Sequence, residues 1–312
     1  MKRILLLSSI LIFLMIGVLY PGFIINGVTK GLIIWCNKLI PTLFPFLILC
    51  SYGQPYFLQL SKVSCRVYIM ISGLLCGYPV GAKCSTDLKV AGYLSELKFN
   101  LYASLFNQAS PMFLSGFVLY RLSLSFAEKI VCFVSFYGAI LILYIIIKIS
   151  SYNLASKISP LKDKTNASNH MGVHRITIDT EKHIEPVPLD TCIQNSITLI
   201  LKLGTYVILF TLIFDALFFT AQYLPSFIVK LIPFIELTNG VIYIQNSSMP
   251  LYQKTGILLC LSAFGGGCVT AQTKSITDTC HLSWKYYMLI KLSQMIVTYL
   301  LFKILIIIFI VI

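Results

Sequence analysis

The sequence predicts an all-α protein that crosses a membrane several times. Three observations carry that prediction. The 312 residues are 57% hydrophobic and only 11% charged, with a mean hydropathy of +0.86, whereas a soluble domain carries roughly 25% charged residues. Apolar runs long enough to cross a bilayer recur along the chain. The 24 Lys and Arg residues, which give a net charge of +13, stand singly at the ends of these runs. Basic residues there favour the cytoplasmic side and reach lipid headgroups. A nucleic-acid-binding face needs clustered basic residues, so none is expected.

Met1-Lys2-Arg3 precedes an apolar run from Ile4 to Tyr20. The run has the form of a signal peptide, but Pro21-Gly22-Phe23 follows it in place of a small-x-small cleavage site. An uncleaved first helix, residues 1–27, with its N-terminus inside is expected. Gly31–Cys50 contains Asn37, Lys38, Pro41 and Pro45, and Val67–Cys76 is too short to cross and too apolar for a loop. Leu74–Ser95 reads LLCGYPVGAKCSTDLKVAGYLS, a sequence no lipid-facing helix needs. Leu101–Leu119 carries Asn107, Gln108, Ser110 and Pro111 at its middle. Phe126–Ile147 is a clean span ended by Lys148, and the polar stretch Ser150–Thr191 reads as a cytoplasmic linker.

A second hydrophobic block follows. Ile193–Phe219 spans but includes Lys202, Gly204 and Asp215. Leu224–Ile244 is broken by Pro233, Glu236, Asn239 and Gly240. Ile257–Phe264 runs into Gly265-Gly266-Gly267, and Tyr286–Ile312 is a closing span interrupted by Lys291 and Lys303. The blocks, 28–149 and 192–312, follow one plan of span, polar-broken element, short apolar run ending in glycines, and closing span. The first begins outside and the second inside if the N-terminus is cytoplasmic. That arrangement predicts two inverted repeats with broken or re-entrant helices.

Backbone in hydrocarbon must be paired, so irregular backbone survives there only inside protein or beside a wet cavity. Gly77, Pro79 and Gly81 therefore predict one broken-helix lobe, and Gly265, Gly266, Gly267 and Gln272 the other. Surface turns between spans are the alternative. Asn107, Gln108 and Ser110, with Glu236 and Asn239, would line a polar site between the lobes; helix–helix hydrogen bonding is the plainer role for any one of them. Lys83 would meet a substrate anion or, alternatively, snorkel; Asp87, four residues on, can pair with it. Asp215 and Glu236 are the ion-coupling candidates, and Lys202 is a possible partner for Asp215. The ten cysteines form no C-x-x-C pair, and His170 and His174 lack a helical apolar period, so no metal and no cofactor is expected. The absence of a metal triad, nucleophile elbow or P-loop argues against an enzyme.

Four ordered blocks, SGLLCGYPVGAKCSTDL, FNQASPMFLSG, PFIELTNG and FGGGCVTAQ, resemble those of the YlbJ-like sporulation integral membrane proteins, as do IPTLFPFLI and NSITLILKLGTYVILF. That family carries two nucleoside-recognition, or Gate, domains, also found in concentrative nucleoside transporters. The resemblance implies a multi-pass protein of the membrane around the forespore that moves dipicolinic acid, a small anionic substrate, during endospore formation. Two other readings stay open: a nucleoside transporter of the same architecture, and a non-transporting scaffold for sporulation. Beyond substrate and lipid bilayer, a homo-oligomer or other sporulation membrane proteins are the conceivable partners. Cys84 and Cys268 depart from the family pattern.

Overall fold

The computed structural model describes Met15 and residues 18–60, 62–162 and 187–311, and every regular element among them is helical. Helix α1 (Pro21–Ile34) passes through a π-helical turn, Trp35–Leu39, into α2 (Ile40–Leu60). The turn has a local cause. Pro41 has no N–H and its ring crowds the carbonyl four residues earlier, so the ladder slips by one residue. The Ile40 N–H accordingly donates to the Trp35 carbonyl. Helices α3 (Lys62–Leu75), α4 (Val80–Val90) and α5 (Glu96–Leu105) follow, then the short α6 (Pro111–Phe113) with a second π turn, Leu114–Val118. The long α7 (Phe126–Lys162) closes the first half. The second half contains α8 (Leu189–Phe219), α9 (Ser226–Val229), α10 (Leu237–Gln245), α11 (Leu251–Phe264), α12 (Gly266–Thr277) and α13 (Trp284–Val311).

Among the described residues, five helical stretches are long and apolar enough to cross a bilayer: Pro21–Phe57, Phe126–Ser150, Leu189–Phe219, Leu251–Cys280 and Trp284–Ile308. A sixth candidate is bent by 119° between Ser226–Phe234 and Leu237–Gln245. Side chains on the outer faces are large and apolar, among them Ile145, Ile146, Leu209, Ile213, Leu300 and Ile304. The polar residues Asn107, Gln108, Glu236, Asn239 and Lys291 are buried instead. An apolar exterior around a polar interior suits a lipid solvent. The Leu251–Cys280 span is the one interrupted by positive-φ glycines, and 67% of its window is buried against 17% to 44% for the other four. Its break therefore sits in protein, where its backbone groups can find partners.

Two expectations change. Helix α7 does not stop at Lys148 but continues to Lys162, so the residues first assigned to the linker begin as helix. Gly31–Cys50 is no separate element but part of the apolar helical stretch Pro21–Phe57. The run Ile4–Tyr20 falls largely outside the described residues, and Lys2, Arg3, His170, His174 and positions 163–186 wholly so.

Packing brings the two glycine-led helices side by side. Helix α12 lies against α4 and α8, and α13 lies against α5, α7 and α11. The Cys280 thiol at the far end of α12 reaches to 3.8 Å from the Thr86 carbonyl on α4.

Candidate functional site

The first break follows α3. Gly77 has φ +84°, a left-handed conformation that costs a glycine nothing and strains other residues. The turn lets the Val80 N–H bond the Gly77 carbonyl at 2.9 Å, and α4 starts there. The second break is at Gly265 and Gly266, with φ of +85° and +78°, between α11 and α12. The third precedes α10. There Glu236 is the N-cap, and its carboxyl oxygens accept from the Thr238 N–H (3.1 Å), the Asn239 N–H (2.7 Å), the Thr238 hydroxyl (2.6 Å) and the Asn239 amide (2.8 Å). An acidic N-cap satisfies the first N–H groups of a helix and favours its positive end. The Asn239 amide also reaches Thr211 on α8 at 2.9 Å. The second and third breaks hold each other, since the Cys268 N–H donates to the Ile235 carbonyl at 2.9 Å.

A cavity of about 40 Å³ lies where these segments converge, lined by Gly77, Tyr78, Ser110, Glu236, Thr238 and Gln272 on its polar side. Leu39, Leu43, Leu203 and Val207 form the apolar wall. Ser110 is there because it caps α6: its hydroxyl accepts from the Phe113 N–H at 3.1 Å, and Pro111 at the first helical position loses no bond by lacking an N–H. A water needs about 10–15 Å³ of such space, so the cavity has room for a few waters and none for an aromatic dicarboxylate. The arrangement is a tightly packed one. Glu236 itself takes up the Thr238 and Asn239 N–H groups of α10, so those two are not free to meet an anion. The polar surface that remains comes from Tyr78, Ser110, the start of α12 and Gln272.

Of the residues singled out in the sequence, Gly77, Ser110, Glu236 and Gln272 meet at this cavity. Gly265 and Gly266 form the break behind it, and Gly267 packs on the Ile235 carbonyl. Pro79 is the N-cap position of α4. Gly81 serves a close approach to the backbone of Phe106 and Asn107. Asn107 and Gln108 are fully buried but face α12 and α13: the Asn107 amide donates to Thr273 at 2.9 Å, and the Gln108 amide donates to the Leu105 carbonyl and to Gln294.

Lys83 is elsewhere. It pairs with Asp87 at 2.7 Å, with each side chain about one-third exposed, in a surface cleft shared with Lys202, Ser275 and Thr279. The i,i+4 spacing on α4 brings the pair together and leaves the ammonium outside the cavity. Exposed pairs of this kind contribute roughly 0.3–0.5 kcal/mol. Lys83→Ala is therefore expected to shift the thermal midpoint of the purified protein by no more than about a degree or two. Asp215 also lies away from the cavity, paired at 2.7 Å with Lys30 across α1 and α8, not with Lys202.

Sequence reasoning missed Lys291. It read as an interruption of a clean span, yet it is completely buried and its ammonium donates to the Asn107 carbonyl. The available signal was periodicity. Tyr287, Lys291, Gln294 and Thr298 recur at steps of 4, 3 and 4 residues, so they share one face of α13, and all four are buried.

An apolar exterior, five candidate spans and three chain breaks packed in the interior define a multi-pass integral membrane protein with broken helices in its core. The chain is similar to the sporulation integral membrane protein YlbJ of Bacillus subtilis (strain 168), at 23% identity over 327 aligned positions covering 93% of this chain and 79% of the relative. This agrees with the resemblance carried by the glycine and asparagine blocks. No protein-family model matches the chain, and no solved structure matches it.

Proposed function

We propose that the protein is a transporter or facilitator for a small organic anion, dipicolinic acid, in the membrane around the forespore. The observation that carries this reading is the convergence of Gly77, Ser110, Glu236 and Gln272 on one interior cavity. A scaffold has no need to break three helices inside its core and line the junction with polar side chains. A protein that must pass a polar solute through hydrocarbon does, because unwound backbone lines such routes. The name of the relative supports the sporulation setting. The finer fold reading, two inverted halves related to concentrative nucleoside transporters, belongs to the same proposal. The cavity is too small for this substrate as it stands, so entry requires α4 and α12 to part around their glycine hinges.

Purified protein in liposomes tests this. Labelled dipicolinate is expected to cross faster than in protein-free vesicles, with saturation, and labelled nucleoside is not. No dipicolinate flux under any pH or sodium gradient would favour the scaffold, and nucleoside flux alone would favour the other transporter.

A further inference from the structure

Beside the cavity lies a buried polar cluster, built on α13. Lys291, Gln294, Thr298 and Tyr287 are all completely buried, as are Asn107 and Gln108 opposite them. Lys291 donates to the Asn107 carbonyl and lies 5.8 Å from the Tyr287 ring centre. Among the described residues it makes no ion pair; the pairs there are Lys30–Asp215 and Lys83–Asp87. Five atoms of this cluster have no hydrogen-bond partner: Asn107 Oδ1, Gln108 Oε1, Gln294 Nε2, Thr298 Oγ1 and the Tyr287 hydroxyl. Buried polar groups are normally satisfied, and each that is not calls for an explanation. Such a concentration around one lysine marks a place that something polar fills.

The cluster adjoins the cavity. Gln272 lines the cavity, while its neighbour on α12, Thr273, accepts from Asn107. The Gln108 carbonyl lies beside Gly77, which lines the cavity too. A buried lysine without a carboxylate either gives up its proton or is held charged by an anion beside it.

From this geometry we infer that Lys291 is the seat for a carboxylate group of the transported anion. The inference rests on the transport reading and names the substrate contact within it. Lys291 binds the carboxylate by a charge-assisted hydrogen bond, Gln294 donates a second, and Asn107 and Gln108 orient the ammonium. The ligand class is a small organic mono- or dicarboxylate.

The test uses the full-length protein in detergent, without divalent cations, and titrates two probes: dipicolinate and its neutral diamide, pyridine-2,6-dicarboxamide. Native protein is expected to prefer the diacid. Lys291→Met is expected to weaken diacid binding by about 10- to 100-fold, as loss of a hydrogen bond to a charged group does, and to leave the diamide unchanged. Lys291→Arg keeps part of the preference. A purely structural lysine would not change the ratio of the two probes. Equal diacid binding by Lys291→Met and native protein overturns the inference and leaves the transport reading standing. A native protein that neither binds nor transports the diacid overturns both. Where the Lys291 variants yield no folded protein, Gln294→Leu carries the test. It is expected to weaken diacid binding several-fold, and unchanged affinity overturns the assignment.

Discussion

Replacing Gly81 with alanine is expected to abolish accumulation of folded protein. A Cβ at Gly81 would overlap the Phe106 carbonyl oxygen and come within 2.8 Å of its carbon and 3.0 Å of the Asn107 Cα. These are backbone atoms at the end of α5, with no side-chain rotation to relieve the clash. Gly73 on α3 faces the same carbonyl, and a Cβ there would overlap it as well. The Phe106 carbonyl thus sits in a notch cut by two glycines, one on each side of the Gly77 break. Overpacking commonly costs about 1–3 kcal/mol; a clash with fixed backbone belongs above that range, in the class of large mutational effects. Gly116→Ala is the control, since nothing lies within 4 Å of a Cβ there. Size-exclusion profiles and thermal midpoints of the two variants decide the matter. If Gly81→Ala is as well folded as Gly116→Ala, the notch is not as described.

Glu236→Ala is expected to destabilise the protein by about 3 kcal/mol or more. The carboxyl group serves four donors, two backbone N–H groups and two side chains, all buried. Losing an N-cap costs about 0.5–2 kcal/mol, and each buried donor left without a partner adds about 1–3 kcal/mol, less than additively. Glu236→Gln keeps the shape and one acceptor oxygen but brings an amide donor into a shell of donors, so an intermediate loss is expected. Thermal unfolding in detergent should rank the proteins native, Gln, Ala. An alanine variant as stable as the native protein would show that the cap does not hold the third break together.

The breaks were legible in the sequence because they depend on local chemistry. Gly77 stands two residues before Pro79, and Gly265–Gly266 open a run of three glycines, patterns that interrupt a helix, and all three adopt positive φ. The burial of Asn107, Gln108 and Ser110 followed from the cost of placing amides and hydroxyls in hydrocarbon. The Lys83–Asp87 pair was readable from i,i+4 spacing. Long-range partners were not readable. Asp215 meets Lys30, 185 positions away, and no periodicity links them. Glu236 looked like a coupling acid, but the Thr238-Asn239 that follows it supplies the donors for a cap. Lys291 was passed over because a lone lysine in an apolar helix resembles an interfacial one. Only its register with Tyr287, Gln294 and Thr298 separates the two cases, and only the position of Asn107 shows what that face meets.

The account depends above all on α4 and α12 lying side by side within the protein. In a variant retaining Cys280 alone among the native cysteines, with Thr86→Cys added and a protease site placed in the polar stretch after Lys162, a short bifunctional thiol reagent is expected to join residues 86 and 280. After cleavage the two halves should then stay together on a denaturing gel, and separate when either cysteine is omitted. Halves that separate in folded protein whose two thiols have both reacted would contradict the packing of the two glycine-led helices.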